Sequence, residues 1–217
     1  MSKSKKELPA YTLGEELLSS ISHGIGALFG VLALVLCVVK CAIYGSAIDV
    51  VSGAIYGASL TILYTMSTLY HALKKGSAKL VFRILDHCSI FLLIAGTYTP
   101  YTLSALSGAT GWTLFGIVWG AAILGITFNA ISVERFRIFS MICYLAMGWV
   151  IIFAVRPLLS AIPWTSFLLL LVGGIAYTLG AILYAIGKKV RYIHSVWHFF
   201  VLFGSILHFL SIYLYIF

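Results

Sequence analysis

His194 and His198 lie four residues apart at the start of the last apolar segment of the chain, HSVWHFFVLFGSILHFLSIYLYIF. In a helix this spacing places both imidazoles on one face, where they can bind one metal ion, as in helix-borne zinc sites. The segment is also long enough to cross a bilayer, which takes about 20 apolar residues. The metal hypothesis therefore requires further ligands at the same depth in the membrane.

The composition indicates that the apolar segments of this chain lie in a membrane. Hydrophobic residues make up 62% of the 217 residues and charged residues only 9%, well outside the range of soluble domains. The net charge of +8 is carried mainly by short stretches between apolar runs. This distribution is typical of loops that set topology and argues against nucleic acid as a partner. We expect an all-α integral membrane protein.

Seven apolar segments are long enough to span a bilayer, so we predict a bundle of seven transmembrane helices within residues 22–217. The predicted spans are 22–43, 48–73, 83–106, 112–132, 138–156, 164–187 and 194–217. Residues 1–21 are predicted to form a cytoplasmic tail and a short interfacial helix. Thr12 and Glu15 have the spacing of a capping box at the start of that helix.

Basic residues predict the orientation of the bundle. The loops on the N-terminal side hold most of the lysines and arginines, whereas the opposite side holds only Lys40 and Arg156. By the positive-inside rule the N-terminus is cytoplasmic and the C-terminus lies outside. The chain is thus predicted to be a multi-pass protein of the cell membrane.

Small residues predict where the helices approach each other closely. Three pairs of glycines have the four-residue spacing that lets helix backbones meet in lipid, namely Gly26 with Gly30, Gly53 with Gly57 and Gly116 with Gly120. Pro100, inside the third predicted span, is expected to kink that helix.

Five polar residues are predicted to share one layer near the cytoplasmic surface. His71, Asp86 and His194 each lie three residues from a basic residue of that side, namely Lys74, Arg83 and Arg191 respectively. Ser67 and His198 lie one helical turn deeper on the second and seventh spans. Polar groups at this depth are costly and usually mark a functional site with a partner.

Three neutral imidazoles and a carboxylate suit Zn²⁺. With His71, His194 and His198 as ligands, the fourth tetrahedral position is left for water, which is the pattern of catalytic zinc. Asp86 would then act as general base and Ser67 would donate to a developing oxyanion. Two alternatives remain open: Asp86 is a direct fourth ligand of a structural site, or all five are interfacial side chains satisfied by water and headgroups.

Three further histidines are predicted not to bind the metal. His87 points about 100° away from Asp86 around its helix, and His23 is expected to form a hydrogen bond with Glu15, Glu16 or a neighbouring helix. His208 is too far along the last span to share the metal and is predicted to form a hydrogen bond between helices.

The motifs that carry these residues resemble those of the bacterial hemolysin III family. The matching stretches are EELLSSISHGIG, STLYHALKK with Ser67 and His71, RILDHCSIFLLIAGTYTP with Asp86, and the His194–His198 pair. The family is related to the progestin and adiponectin receptors and to the alkaline ceramidases. The resemblance implies a seven-helix fold, zinc held by the three histidines, Ser67 and Asp86 in the polar shell, and lipid amide hydrolysis in the ceramidase branch.

One departure from that pattern concerns the carboxylate that the adiponectin receptors place one turn after the histidine of the second helix. Lys75 occupies that position here. The role of base or water holder would therefore shift to Asp86, which counts against efficient amide hydrolysis.

The function expected from these observations is zinc-dependent hydrolysis of an amide or ester of a membrane lipid, with the acyl chain held by the apolar bundle of a bacterial plasma-membrane protein. Two rival hypotheses are a membrane-perturbing hemolysin or pore, and a regulator in which zinc only holds the second, third and seventh helices together. The oligomeric state does not follow from the sequence.

Overall fold

The computed structural model describes residues 8–9, 11–106, 108–186 and 190–217, and within them the ordered structure is helical, without strands. The α-helices are α1 (Leu13–Tyr44), α2 (Ala47–Ala72), α3 (Ser77–Thr99), α4 (Gly108–Ile131), α5 (Arg137–Trp149), α6 (Val155–Ala161), α7 (Trp164–Ile186) and α8 (Ile193–Tyr215).

Two irregular segments join some of these helices into longer spans. A π-helical segment, Pro100–Leu106, continues α3, because Pro100 lacks the N–H that would continue the α-helical hydrogen bonding. A 3₁₀ segment, Val150–Ala154, connects α5 to α6. The described residues thus contain seven helical segments long and apolar enough to cross a membrane, which confirms the predicted all-α seven-span architecture.

Helix α1 is longer than predicted. The capping box at its start is present, since the Thr12 hydroxyl accepts from the Glu15 N–H at 3.3 Å and the Glu15 carboxylate accepts from the Thr12 N–H at 2.8 Å. From Leu13 the helix runs without a break to Tyr44, so the segment predicted as a short interfacial helix leading into the first span is continuous with that span. Residues 1–7 of the predicted tail lie outside the described residues.

Glycines allow α1 and α2 to pack closely, as predicted for two of the three pairs. A Cβ on Gly57 would lie 2.3 Å from the Leu34 Cα, and one on Gly30 would lie 2.8 Å from the Thr61 backbone nitrogen. By contrast, a Cβ on Gly116 or Gly120 would meet no described atom within 4 Å. The prediction that this third pair packs closely against a helix is therefore wrong within the described part of the chain.

Helix ends bring the polar residues together. Helix α2 ends at Ala72, directly after His71, and α8 begins at Ile193, directly before His194. Helix α2 packs between α1 and α3, while α8 packs against α7 and α1. The start of α1, the end of α2 and the starts of α3 and α8 therefore meet at one end of the bundle, which we call the site end.

Candidate metal site

Three buried histidines form a compact cluster at the site end. His71, His194 and His198 each offer one ring nitrogen, and these three atoms lie within 4.8 Å of one another. The Nε2 atoms of His194 and His198 are 3.3 Å apart. Two nitrogens bound tetrahedrally to one zinc at about 2.0–2.1 Å would also be about 3.3 Å apart. The spacing of this pair thus fits one shared zinc ion.

The third histidine is held by a carboxylate. The Nδ1 atom of His71 lies 2.7 Å from Oε2 of Glu16, while its Nε2 atom is buried and has no hydrogen-bond partner within the described residues. Metal-binding histidines commonly donate their second ring nitrogen to such a carboxylate, which fixes the tautomer and orients the ring. His71 is therefore arranged to offer Nε2 to a cation.

Lys79 lies beside the same carboxylate. Its ammonium group donates to Oε1 of Glu16 at 2.7 Å and to the Leu73 carbonyl at 3.0 Å, and it lies 5.1 Å from the centre of the Tyr70 ring. Glu16 thus lies between a cation and a candidate metal ligand. The sequence interpretation noted the Glu15–Glu16 pair but did not connect either carboxylate to His71.

Asp86 and Ser67 also lie at the site end. Asp86 is 4% exposed and borders the same cavity as His194, but among the described residues its carboxylate is not part of the group of donors within 4.8 Å. Ser67 is fully buried, and its hydroxyl has no hydrogen-bond partner in the described part of the chain. The Ser67 hydroxyl is thus available to a ligand that enters the site, whereas Oδ2 of Asp86 lies 3.6 Å from Nδ1 of His87.

The remaining histidines have other surroundings. His23 stacks on His198 with ring centroids 3.8 Å apart rather than forming the hydrogen bond that was predicted, and both its ring nitrogens lack a partner within the described residues. His87 contacts the Arg83 carbonyl at 2.9 Å. The ring of His208 donates to the Leu170 carbonyl at 3.0 Å, which confirms the predicted hydrogen bond between helices.

Tyr11 covers the cluster at the site end, a feature that the sequence interpretation missed. Its ring stacks on that of His194, with centroids 4.7 Å apart and planes 19° apart, and lies 5.9 Å from the His71 ring. Burial raises the pKa of the Tyr11 phenol above its usual range, and the nearby Tyr184 raises it further. The phenol therefore remains neutral. No sequence signal distinguishes this aromatic residue from an ordinary one before a helix.

Contacts between the start of α1 and the start of α8 hold this covering segment in place. The Glu15 carboxylate accepts from the Tyr192 N–H at 2.8 Å, and the Glu15 carbonyl accepts from the Ser195 hydroxyl at 3.2 Å. One turn further on, the hydroxyls of Ser19 and Ser195 are 3.1 Å apart. The segment that carries Tyr11 is thus attached to the helix that carries two of the histidines.

The carboxylate of the site does not come from position 75, which Lys75 occupies. Because α2 ends at Ala72, Lys75 does not lie on a helix, and its side chain is exposed. The carboxylate next to His71 comes instead from Glu16, on a different helix. The departure from the adiponectin-receptor pattern at Lys75 therefore does not leave His71 without an acidic neighbour.

An apolar cavity of about 210 Å³ borders one histidine of the cluster, His194, and continues into the bundle between α3, α5, α7 and α8. Its polar lining at the site end includes His23, Asp86 and His194, and it reaches His208 further along α8. His208 lies fourteen residues after His194, a helical rise of about 21 Å. A long apolar chain could thus extend from the cluster into the bundle.

The chain is similar to known proteins over most of its length. A family model described as "Haemolysin-III related" matches residues 11–209. The chain is 46% identical over 195 residues to "Hemolysin-3 homolog" of Bacillus subtilis (strain 168), covering 90% of this chain and 91% of that protein. It is 44% identical over 202 residues to "Hemolysin-3" of Bacillus cereus, covering 93% and 92%. It is also 26% identical over 169 residues to human "Monocyte to macrophage differentiation factor", covering 75% and 69%.

Proposed function

This chain belongs to the haemolysin-III family, and we propose that it is a zinc-dependent hydrolase of an amide or ester bond in a membrane lipid. The observation that carries the proposal is that His194, one of the three clustered histidines, lines an apolar cavity together with Asp86. Such a cavity is suited to bind an acyl chain. A metal ion held by the histidine cluster would then lie close to the amide or ester bond at the polar end of that chain.

The donor set supports zinc as the ion. Three imidazoles without a fourth protein ligand in the described group match the arrangement of catalytic zinc. Zinc bound by His71, His194 and His198 would supply Lewis acidity towards a carbonyl group and a water molecule. Magnesium and calcium prefer oxygen ligands and fit this set poorly.

The polar residues around the cluster have roles that follow from their positions. Asp86 accepts a proton from the attacking water as general base. The Ser67 hydroxyl, which has no hydrogen-bond partner among the described residues, donates a hydrogen bond to the oxyanion that develops on the carbonyl. The cavity walls bind the acyl chain, exclude water from it and place its carbonyl end near these groups.

The basic residues of the site end support a cytoplasmic location for the cluster in a bacterial plasma membrane. Exposed lysines Lys74 and Lys75 follow α2, and Arg191 precedes α8, whereas Lys40 lies near the opposite end. Under the positive-inside rule this distribution supports an inside location for the N-terminus and the three histidines and an outside location for the C-terminus.

The test is turnover by zinc-loaded protein purified in detergent, measured as fatty acid released from long-chain amides and esters. Asp86→Asn is expected to abolish release while leaving zinc content unchanged. Asp49→Asn is the matched control, because Asp49 caps α2 at the opposite end of the bundle. Absence of release from every long-chain amide and ester by zinc-loaded wild type would contradict the proposal.

A membrane-perturbing activity is the rival suggested by the printed names of the two Bacillus relatives. If this rival holds, purified protein lyses erythrocytes or lipid vesicles equally well with His198 intact and with His198→Ala. If lysis requires zinc chemistry, the variant loses it.

A non-catalytic regulator is favoured by one other observation, namely that the cluster joins α2 to α8 across the bundle. Under this alternative, removing zinc lowers the unfolding temperature and no substrate is turned over. The same fatty-acid assay, combined with thermal unfolding before and after chelation, separates it from the hydrolase.

A further inference from the structure

Lys79 is a buried cation in the first turn of α3. It is 3% exposed, although residues 74–78 before it are largely exposed. A buried ammonium group is costly unless it is paired, and here it has two oxygen acceptors, Oε1 of Glu16 and the Leu73 carbonyl. Lys79 therefore joins the start of α1 and the end of α2 to the start of α3.

Glu16 uses its two carboxylate oxygens for different partners. Oε1 accepts from Lys79 at 2.7 Å, and Oε2 lies 2.7 Å from Nδ1 of His71. Because both oxygens are engaged, the rotation of the carboxylate is restrained, and its contact with Nδ1 restrains the rotation of the His71 ring. The lone pair of Nε2 is available to a cation only while Nδ1 carries the proton that is donated to Glu16.

We propose that Lys79 is a positioning residue for the metal site, acting through Glu16 on His71, which rests on the zinc-binding function proposed above. Lys79 holds one oxygen of Glu16, so that the other oxygen remains directed at His71. Its second bond, to the Leu73 carbonyl, lies two residues after His71 at the cap of α2. Through these two contacts Lys79 fixes both the ring of His71 and the helix end that carries it.

The test is zinc affinity, measured by competition with a chromophoric chelator on full-length protein in detergent, together with the visible absorption spectrum of the cobalt-loaded protein. The variants are Lys79→Met, Glu16→Gln and the double variant. Loss of a partner of this kind typically lowers metal affinity about 10- to 100-fold. We expect a loss of that size in each single variant and a changed cobalt spectrum. In the double variant the loss should be smaller than the two single losses combined, because both residues act on His71 through the Glu16 contact.

Lys40→Met is the matched control. The Lys40 ammonium donates to the Tyr213 carbonyl at 2.6 Å and lies 4.7 Å from the centre of the Tyr213 ring. Its contacts thus resemble those of Lys79, but it lies near the opposite end of the bundle. Lys40→Met therefore shows what the loss of a lysine with similar contacts does to the fold. Its zinc affinity and cobalt spectrum should equal those of wild type.

Several outcomes would overturn the inference. Wild-type affinity and an unchanged cobalt spectrum in Lys79→Met would do so, as would a full additional loss when Lys79→Met is combined with Glu16→Gln. If Lys79→Met does not fold, Lys79→Gln, which keeps a donor without the charge, is used in the same comparison. Failure of folded wild type to bind zinc is a separate result, which overturns the proposed function together with the inference.

Discussion

The ring of Tyr11 stacks on the ring of His194 at the site end, with centroids 4.7 Å apart. Tyr11 is partly exposed, whereas His194 is only 6% exposed. The phenol ring therefore lies between the histidine cluster and the aqueous surface. This relationship predicts that Tyr11 limits access to the metal from water.

Replacing Tyr11 by alanine should speed the loss of zinc to a water-soluble chelator several-fold, because one face of His194 becomes open to water. The measurement is the time course of zinc transfer from loaded protein to excess chromogenic chelator. Tyr11→Phe keeps the ring and should release zinc at the wild-type rate. Equal rates for Tyr11→Ala and wild type would show that the ring does not shield the metal.

A larger side chain in the cavity should weaken the binding of long acyl chains more than that of short ones. Gly174 borders the cavity, and a Cβ added there would meet no described atom within 4 Å. Gly174→Leu should therefore fold normally, bind zinc and lose affinity for a fluorescent long-chain fatty acid more than for a short-chain one. Gly116→Leu is the control, since it adds the same side chain outside the cavity lining. Unchanged long-chain binding in Gly174→Leu would place the acyl chain elsewhere.

Close packing between α1 and α2 should make Gly57 intolerant of any side chain. A Cβ there would lie 2.3 Å from the Leu34 Cα, a backbone atom that cannot move without shifting the helix. Gly57→Ala is expected to lower the free energy of unfolding by about 1–3 kcal/mol, the usual cost of overpacking. Gly116→Ala, where the added methyl meets no described atom, should leave the unfolding temperature in detergent close to that of wild type. Similar unfolding temperatures for the two variants would contradict this view of the α1–α2 contact.

The depth of each polar residue could be predicted from the sequence, because helical rise is constant and each apolar span must cross the same bilayer. His71, Asp86 and His194 were therefore assignable to one layer without a structure. The rotation of each helix about its own axis has no comparable constraint. For this reason the sequence left open whether Asp86 joins the histidines as a ligand, and it did not connect Glu16 to His71.

Contacts between segments that are distant in the chain also could not be predicted from the sequence. The pair Gly116 and Gly120 has the same spacing as Gly53 and Gly57, yet only the second pair faces a closely packed neighbour in the described structure. Spacing identifies a surface that permits close approach, but whether a partner helix lies opposite depends on the arrangement of the whole bundle. The covering position of Tyr11 depends in the same way on how the start of α1 packs against α8.

We propose that His71, His194 and His198 hold one zinc ion, and zinc content per chain, by elemental analysis of detergent-purified protein, tests this proposal. Wild type should contain about one zinc, and His198→Ala should contain almost none, since two imidazoles bind much less tightly than three. His208→Ala is the control, because it removes a buried histidine of the same helix that bonds to Leu170 instead, and it should keep its zinc. Folded wild-type protein without bound zinc, or equal zinc in wild type and His198→Ala, would contradict the claim.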